Sequence, residues 1–206
     1  MIKQIKTPRL GSNAYLIITS DFSFLVDSGI DNTVFEFIRK KNVDIEFIVN
    51  THAHADHCAG NRFFKNKVAY LHAYDIGEAR NCNFYGTRDM LRIERFSYDY
   101  EEIDRKIKAG EYVFKVLHTP GHTRGSICLY EPNKKILISG DTVFGKGSFG
   151  RVDLGGNASM LLSSLEFLSK LNVDVLMPGH GDIVKSKGKK WIKSSLNNAK
   201  NFFGIL

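Results

Sequence analysis

The chain predicts an α+β fold, sheets covered by helices, and three observations predict it. Short apolar runs bounded by Gly, Pro, Asn and Asp recur along it, as strands do. Longer stretches with apolar residues three and four apart follow the helical period. The balance is that of a globular protein, 43% hydrophobic and 25% charged over 206 residues. In order, Ala14 to Thr19 and Phe22 to Val26 read as a hairpin turning at Ser20-Asp21. Thr33 to Lys40 has helical spacing, with Val34, Phe35 and Ile38 on one side. Strands follow near 46–50 and 68–71, with a helix near 59–65 between them. Further strands fall near 111–117, 126–130, 136–139 and 173–177, and helices near 157–170 and 188–203. Each sheet face and each helix stripe must bury its apolar side, so this mixture packs as helices on sheets. The periodicity leaves the order of the layers open.

Composition sets further bounds. Residues 1–206 read as one domain, since one core can serve a chain of this length. No apolar run reaches the roughly 18 residues of a transmembrane helix, so no membrane partner is expected. Met1-Ile2-Lys3-Gln4-Ile5-Lys6 lacks the apolar stretch of a signal peptide. Three cysteines without a CxxC pair suit a reducing cytoplasm better than a disulfide scaffold. Cys58, next to His57, reads as inert. The net charge is +7, and Lys185, Lys187, Lys189, Lys190 and Lys193 supply much of the excess. They flank Trp191 and Ile192 and read as the solvated face of a C-terminal helix. No nucleic-acid partner is expected; solubility and attraction of anionic substrates account for the charge.

Thr51-His52-Ala53-His54-Ala55-Asp56-His57 carries most of the chemistry. It follows the apolar run Phe47-Ile48-Val49, a buried strand ending at Asn50. In an extended chain residues i, i+2 and i+4 share a face, which would align His52, His54 and Asp56, with His57 at the start of a helix. Neutral imidazoles and carboxylates are ligands of Zn²⁺, Fe and Mn. Three more strands end in Gly- or Pro-marked turns that bear such groups. They are His118-Thr119-Pro120-Gly121-His122-Thr123, Ser139-Gly140-Asp141-Thr142 and Met177-Pro178-Gly179-His180-Gly181. Ligands at several strand ends make a site at a sheet edge.

The set His-x-His-x-Asp-His, Pro-Gly-His-Thr, Gly-Asp-Thr and Pro-Gly-His, in this order, resembles the metallo-β-lactamase superfamily. Within it the chain most resembles glyoxalase II-type (hydroxyacylglutathione) hydrolases and their relatives the persulfide dioxygenases. Val26-Asp27-Ser28-Gly29 fits the same pattern, and the match runs from about Asn13 to His180. The resemblance implies a four-layer αβ/βα sandwich with two divalent metal ions along one edge, zinc first, with iron or manganese as alternatives. It assigns His52, His54 and His122 to one metal, Asp56, His57 and His180 to the second, and Asp141 to both as a bridge. Asp27 would lie beneath the site and hold the far nitrogen of a ligating His. His118 falls outside this set and reads as a hydrogen-bonded structural His, and His72 as structural or exposed.

Two such ions lower the pKa of a shared water towards ~7 and polarise a carbonyl, so metal-bound hydroxide serves as nucleophile and no Ser or Cys is needed. Asp56 would both ligate and orient it. By resemblance the substrate is a small-molecule acyl thiol such as S-lactoylglutathione. An iron-dependent persulfide dioxygenase is the alternative, because Ala55 resembles that group. A lactonase, a nucleic-acid phosphodiesterase and a non-catalytic metal-binding protein stand further off. Residues 73–108 put Tyr74, Phe84, Tyr85, Phe96, Tyr98 and Tyr100 among many charges, including Arg80, Arg88, Arg92 and Arg95. They read as a helical insertion, part packed and part near the pocket. Residues 181–206 suffice for one helix but not for the C-terminal domain that holds glutathione in glyoxalase II. Arg151 matches a basic thiol-binding position on the loop after the bridging Asp. Its guanidinium would pair with a substrate carboxylate, or brace the loop from Gly145 to Gly156.

Overall fold

Alternation along the strands decides the layering. The computed structural model describes residues 1–204. One sheet has six strands in the order β1 (Ile2–Lys6), β2 (Asn13–Ile18), β3 (Ser23–Val26), β4 (Ile48–Val49), β5 (Ala69–Leu71) and β6 (Tyr100–Glu102). The first three strands pair antiparallel and β3 to β6 run parallel. The other sheet has five: β7 (Lys106–Ala109), β8 (Tyr112–His118), β9 (Ile127–Glu131), β10 (Ile136–Gly140) and β11 (Val175–Pro178). It is a meander from β7 to β10, with β11 parallel to β10.

Successive side chains of a strand leave on opposite faces. Tyr15, Ile17, Phe24 and Val26 therefore meet Phe114, Ile127, Leu129 and Ile138 between the sheets. Ala14, Leu16 and Leu25 point the other way, onto Val34 and Ile38 of α1 (Thr33–Lys40). Cys128, Tyr130, Leu137 and Leu176 likewise face Leu161, Leu165 and Leu168 of α5 (Ala158–Ser169) and Ile192 of α6 (Gly188–Phe203). The layers run helix, sheet, sheet, helix, the four-layer order that the resemblance implied. Each fully buried Leu, Ile or Phe contributes about 1.5–3 kcal/mol, and both sheets are apolar on both faces, so neither is stable without its helices. Asn157 caps α5 by accepting from Met160 N at 3.0 Å, and Gly204 ends α6 in the left-handed conformation.

The two sheets are stitched together at one edge. Asn13 N donates to Gly179 O at 2.7 Å, Asn13 Nδ2 and Tyr15 Oη to Pro178 O at 2.8 and 2.6 Å, and Ile127 N to Thr51 O at 2.9 Å. The strand ends beneath this edge carry the motifs. β1, β6 and β7 fall outside the strands that the sequence predicts. Ile2 and Ile5 are spaced by three, which hides the period of two, and β6 is three residues long. Residues 73–102 add α3 (Ala73–Arg80) and α4 (Thr87–Met90), with Phe84, Phe96, Tyr98 and Tyr100 packed on the α1 side of the first sheet. The Lys run behaves as the sequence suggests, with Lys190 and Lys193 exposed and Ile192 buried on α6.

Candidate metal centre

Each candidate ligand sits just beyond a strand end. His52 and His54 lie on the loop after β4, His122 on the loop after β8, and Asp141 and His180 just after β10 and β11. Asp56 and His57 lie on α2 (Ala55–Cys58), which continues as a 3₁₀ turn to Phe63. The expected helix near 59–65 therefore starts four residues earlier than its predicted bound, with His54 at its N-cap. This corrects the extended reading of the heptapeptide. Once the chain turns helical at Ala55, Asp56 swings away from His52 and His54 and joins His57 and His180.

The result is two adjoining clusters of possible ligand atoms. His52, His54 and His122 form one, Asp56, His57 and His180 the other, and within each the atoms lie within 4.8 Å of one another. Asp141 spans them. Its Oδ1 is 3.5 Å from His57 Nε2, and its Oδ2 is 3.4 Å from His180 Nε2 and 3.6 Å from His122 Nε2. Asp56 Oδ2 lies 3.2 Å from His180 Nε2 and 3.6 Å from His57 Nε2.

Hydrogen bonding on the far side of each imidazole tests whether cations belong here. Asp27 accepts from Thr51 Oγ1 at 2.8 Å, so that hydroxyl has only a lone pair left for His52 Nδ1, 3.0 Å away. His52 must donate from Nδ1. His54 donates from Nε2 to Leu154 O at 2.9 Å, and His122 from Nδ1 to Arg151 O at 2.7 Å. The remaining nitrogens, His52 Nε2, His54 Nδ1 and His122 Nε2, are bare lone pairs aimed at one another. His52 Nε2 is 3.1 Å from His54 Nδ1 and 3.2 Å from His122 Nε2. Only a cation resolves such a contact. In the other cluster His57 Nδ1 is held by Asp27 Oδ2 at 2.8 Å, and Asp141 Oδ1 is buried without a hydrogen-bond partner. Asp27 adopts φ of 57°, a conformation Asp tolerates better than most side chains. The donor set is nitrogen and carboxylate oxygen, which suits Zn²⁺, Fe and Mn alike.

The electrostatics of the clusters differ. Burial pushes His52 well below the usual His range, and His57 and His122 push the same way. Burial also lowers His54, and it takes His122 down to about 4 despite Asp141. These three are neutral at pH 7. Burial opposes charge on His57 and His180 too, but Asp141 and Asp56 outweigh it and raise them to about 9 and about 11. Burial would raise Asp141, yet His57 and His180 hold it far below the usual carboxylate range. Cations must therefore displace protons from His57 and His180 but none from the three-His cluster. Loading both clusters at pH 7 should release about two protons per chain from the ligands. Affinity for the second cluster should fall more steeply on acidification below about 9. Calorimetric titration in two buffers of different ionisation enthalpy reads the release directly, and a value near zero would contradict this arrangement.

His180 alone of the seven is not buried. Beside it lies a hollow of about 360 Å³ lined by Phe144, Lys146, Ile183, Val184 and Trp191. A larger hollow of about 860 Å³ lies between α1 and residues 62–67 and touches none of the seven.

The profile of the metallo-beta-lactamase superfamily matches residues 7–180. The chain belongs to this superfamily. A probable metallo-hydrolase of Methanocaldococcus jannaschii is 31% identical over 201 residues, covering 89% of this chain and 94% of that one. A probable hydroxyacylglutathione hydrolase of Schizosaccharomyces pombe is 32% identical over 197 residues, covering 91% of this chain and 70% of that one. Among solved structures, a protein in a di-iron-bound form matches with a TM-score of 0.77 at 27% identity, over 91% of this chain and 96% of that one. The B3 metallo-beta-lactamase BLEG-1 matches with a TM-score of 0.76 at 26% identity, over 92% and 96%. The comparisons support a metal-dependent hydrolase. Among the described residues no helix is long and apolar enough to cross a membrane.

The structure brings His52, His54 and His122 together beside Asp56, His57 and His180, with Asp141 between them. His118 stands outside, donating from Nε2 to Arg124 O at 3.0 Å and stacking on His72 at 3.9 Å between ring centroids. Cys58 is buried, and its thiol donates to His52 O at 3.1 Å. The Arg151 guanidinium forks onto Asp153 at the surface, with Nε to Oδ1 at 2.6 Å, while its carbonyl holds His122. Sequence reasoning passed over Thr51, which relays Asp27 to His52, although it opens the motif. It also passed over Asp75, which lies in a stretch with no period to read and has no sequence signal, whereas Tyr85, one of the aromatics of the 73–108 insertion, lies near the centre, its ring 6.0 Å from that of His54.

Proposed function

We propose that this chain is a binuclear metal-dependent hydrolase of acyl thioesters. One observation carries the reading: three imidazole lone pairs and a bridging carboxylate converge beside a second, partly open cluster of ligands. His52, His54 and His122 would hold one divalent ion, Asp56, His57 and His180 the other, and Asp141 would serve both. Zinc is the first choice, with iron or manganese served by the same donors. Bound there, the ions supply an acidified water near neutral pH and a Lewis acid for the substrate carbonyl.

The chain's own groups do the rest. Asp27, Thr51, Leu154 and Arg151 fix the imidazole tautomers, so the ligands need no reorganisation. Asp56 accepts a hydrogen bond from the attacking water and orients it. Substrate approaches past His180, along the hollow lined by Phe144 and Trp191. No side-chain nucleophile competes, because burial pushes the Cys58 thiol well up and its hydrogen is engaged.

The acyl thiol class is supported by similarity to hydroxyacylglutathione hydrolases at 27–32% identity. A substrate carboxylate would compete with Asp153 for Arg151. That exposed ion pair is worth at most about 1 kcal/mol, so exchange is cheap but the grip is weak. Low selectivity among acyl thiols follows. The buried, unpaired Cys58, Cys82 and Cys128 fit a cytoplasmic setting. The test is thiol release from S-lactoylglutathione and a panel of other acyl thiols by protein reconstituted with Zn²⁺ or Fe²⁺. Turnover of several, abolished by a chelator and restored by metal, is expected. Metal-loaded protein that releases thiol from none of them would sink the proposal.

A further inference from the structure

Asp75, on α3, is fully buried and lies outside both ligand clusters. Its carboxylate accepts four hydrogen bonds, two on each oxygen. Oδ2 takes Ala53 N at 2.8 Å and Thr123 Oγ1 at 2.8 Å. Oδ1 takes Gly125 N at 2.7 Å and Tyr85 Oη at 2.7 Å. The first two donors are decisive. Ala53 sits between His52 and His54, and Thr123 follows His122. One carboxylate thus ties together the two loops that carry the three-His cluster.

The surrounding contacts are built around it. A carboxylate only accepts, so Thr123 must donate to Asp75, and Ser126 Oγ must then donate to Thr123 Oγ1, 2.8 Å away. A Cβ on Gly125 would lie 2.6 Å from Asp75 Cγ, so only glycine lets that backbone approach. Tyr85 carries the tie further. A Cβ on Gly155 would overlap its ring, so the ring seats against Gly155, next to the Leu154 carbonyl that sets the His54 tautomer. Thr87, on α4, accepts from Ala55 N at 2.9 Å, at the first residue of the helix that carries Asp56 and His57.

The second cluster is held from elsewhere. Asp27 grips His57, Asn50 Nδ2 donates to His57 O at 3.0 Å, Ser12 Oγ donates to Asp56 O at 2.8 Å, and Asn13 and Tyr15 hold Pro178. Asp27 reaches both halves, gripping His57 directly and His52 through Thr51. We infer that Asp75 is a positioning residue of the three-His metal half-site: it ties that half's two loops together and accepts no hydrogen bond from the residues of the other half. This rests on the two-ion reading above.

The experiment is a Zn²⁺ titration followed by long-range ¹H–¹⁵N correlation of the imidazoles, which reports metal binding at each His separately. A chelator of known affinity supplies the competition. Asp75→Asn removes the charge and one acceptor site at nearly constant volume. It should weaken Zn²⁺ at His52, His54 and His122 by about 10- to 100-fold, the usual effect of losing a ligand's hydrogen-bonded support. His57 and His180 should change by no more than about threefold. Tyr85→Phe removes a single hydrogen bond to the carboxylate and keeps the test open if Asp75→Asn does not fold. It should weaken the three-His half by about 10-fold. Equal weakening of both halves, or unchanged affinity at the three-His half in these variants, overturns the inference while leaving the metal reading intact. Wild-type protein with no shift at any His overturns both.

Discussion

Asp141→Ala should cost both metal ions together and lower hydrolysis by on the order of 10³-fold or more, comparable to removing a main source of transition-state stabilisation. The two oxygens of Asp141 face different clusters, Oδ1 towards His57 and Oδ2 towards His122 and His180. Among the described residues no other carboxylate spans them. Without it, His57 and His180 also lose the partner that most favours their charge, so the proton release on loading should shrink. The side chain's contacts are with imidazoles, so the fold should persist, with a melting temperature within a few degrees of the parent. His180→Ala is the contrast. It should empty mainly the second cluster, because His180 groups with Asp56 and His57 and not with the three bare lone pairs. Metal analysis by mass spectrometry of both variants checks the pair. Full metal content without Asp141, or equal loss of both ions without His180, would contradict the bridge.

Gly179→Ala should be nearly as damaging, for a steric reason. An added Cβ would overlap Asp141 Oδ1 and come within 2.9 Å of His57 Cε1 and of Gly140 C. All three are buried and flanked by fixed groups, so the carboxylate must move. A displacement near 1 Å at such a site costs about 10²-fold in rate. Gly181, in the same turn, is the internal control. It has φ of 80° but no atom within 4 Å of an added Cβ, so Ala there meets only backbone strain of about 1–2 kcal/mol. Kinetics and thermal melts of the two variants separate the effects. Gly179→Ala should lose activity out of proportion to stability, and Gly181→Ala should lose some stability and little activity. Similar activity in the two would remove the steric argument.

The strands and helices that a period reveals were legible. Thr33–Lys40, Ala158–Ser169 and Gly188–Phe203 each bury one stripe, Tyr112–His118 alternates long enough to show a period of two, and Ile127–Glu131 and Ile136–Gly140 stand out as short, buried apolar runs. The seven candidate ligands were legible because polar groups gathered after apolar strand ends have few other reasons to be there. What failed was local geometry and long-range support. The turn to helix at Ala55 is set by contacts beyond the motif, including Thr87 Oγ1 on Ala55 N. Asp75 looks like any acid at the start of a helix, because the groups it joins are 22 and 48 residues away. The parallel run from β3 to β6 joins strands of two to four residues, too short to carry a signal of pairing.

The central claim, hydrolysis of a thioester bond by a two-metal centre, is tested most directly in an oxygen electrode. Protein carrying its metals is given an acyl thioester without oxygen and, separately, glutathione persulfide with oxygen. The account predicts free thiol from the thioester under anaerobic conditions and no oxygen uptake with the persulfide. Rapid oxygen uptake with no thiol release from any thioester would show an iron-dependent dioxygenase instead.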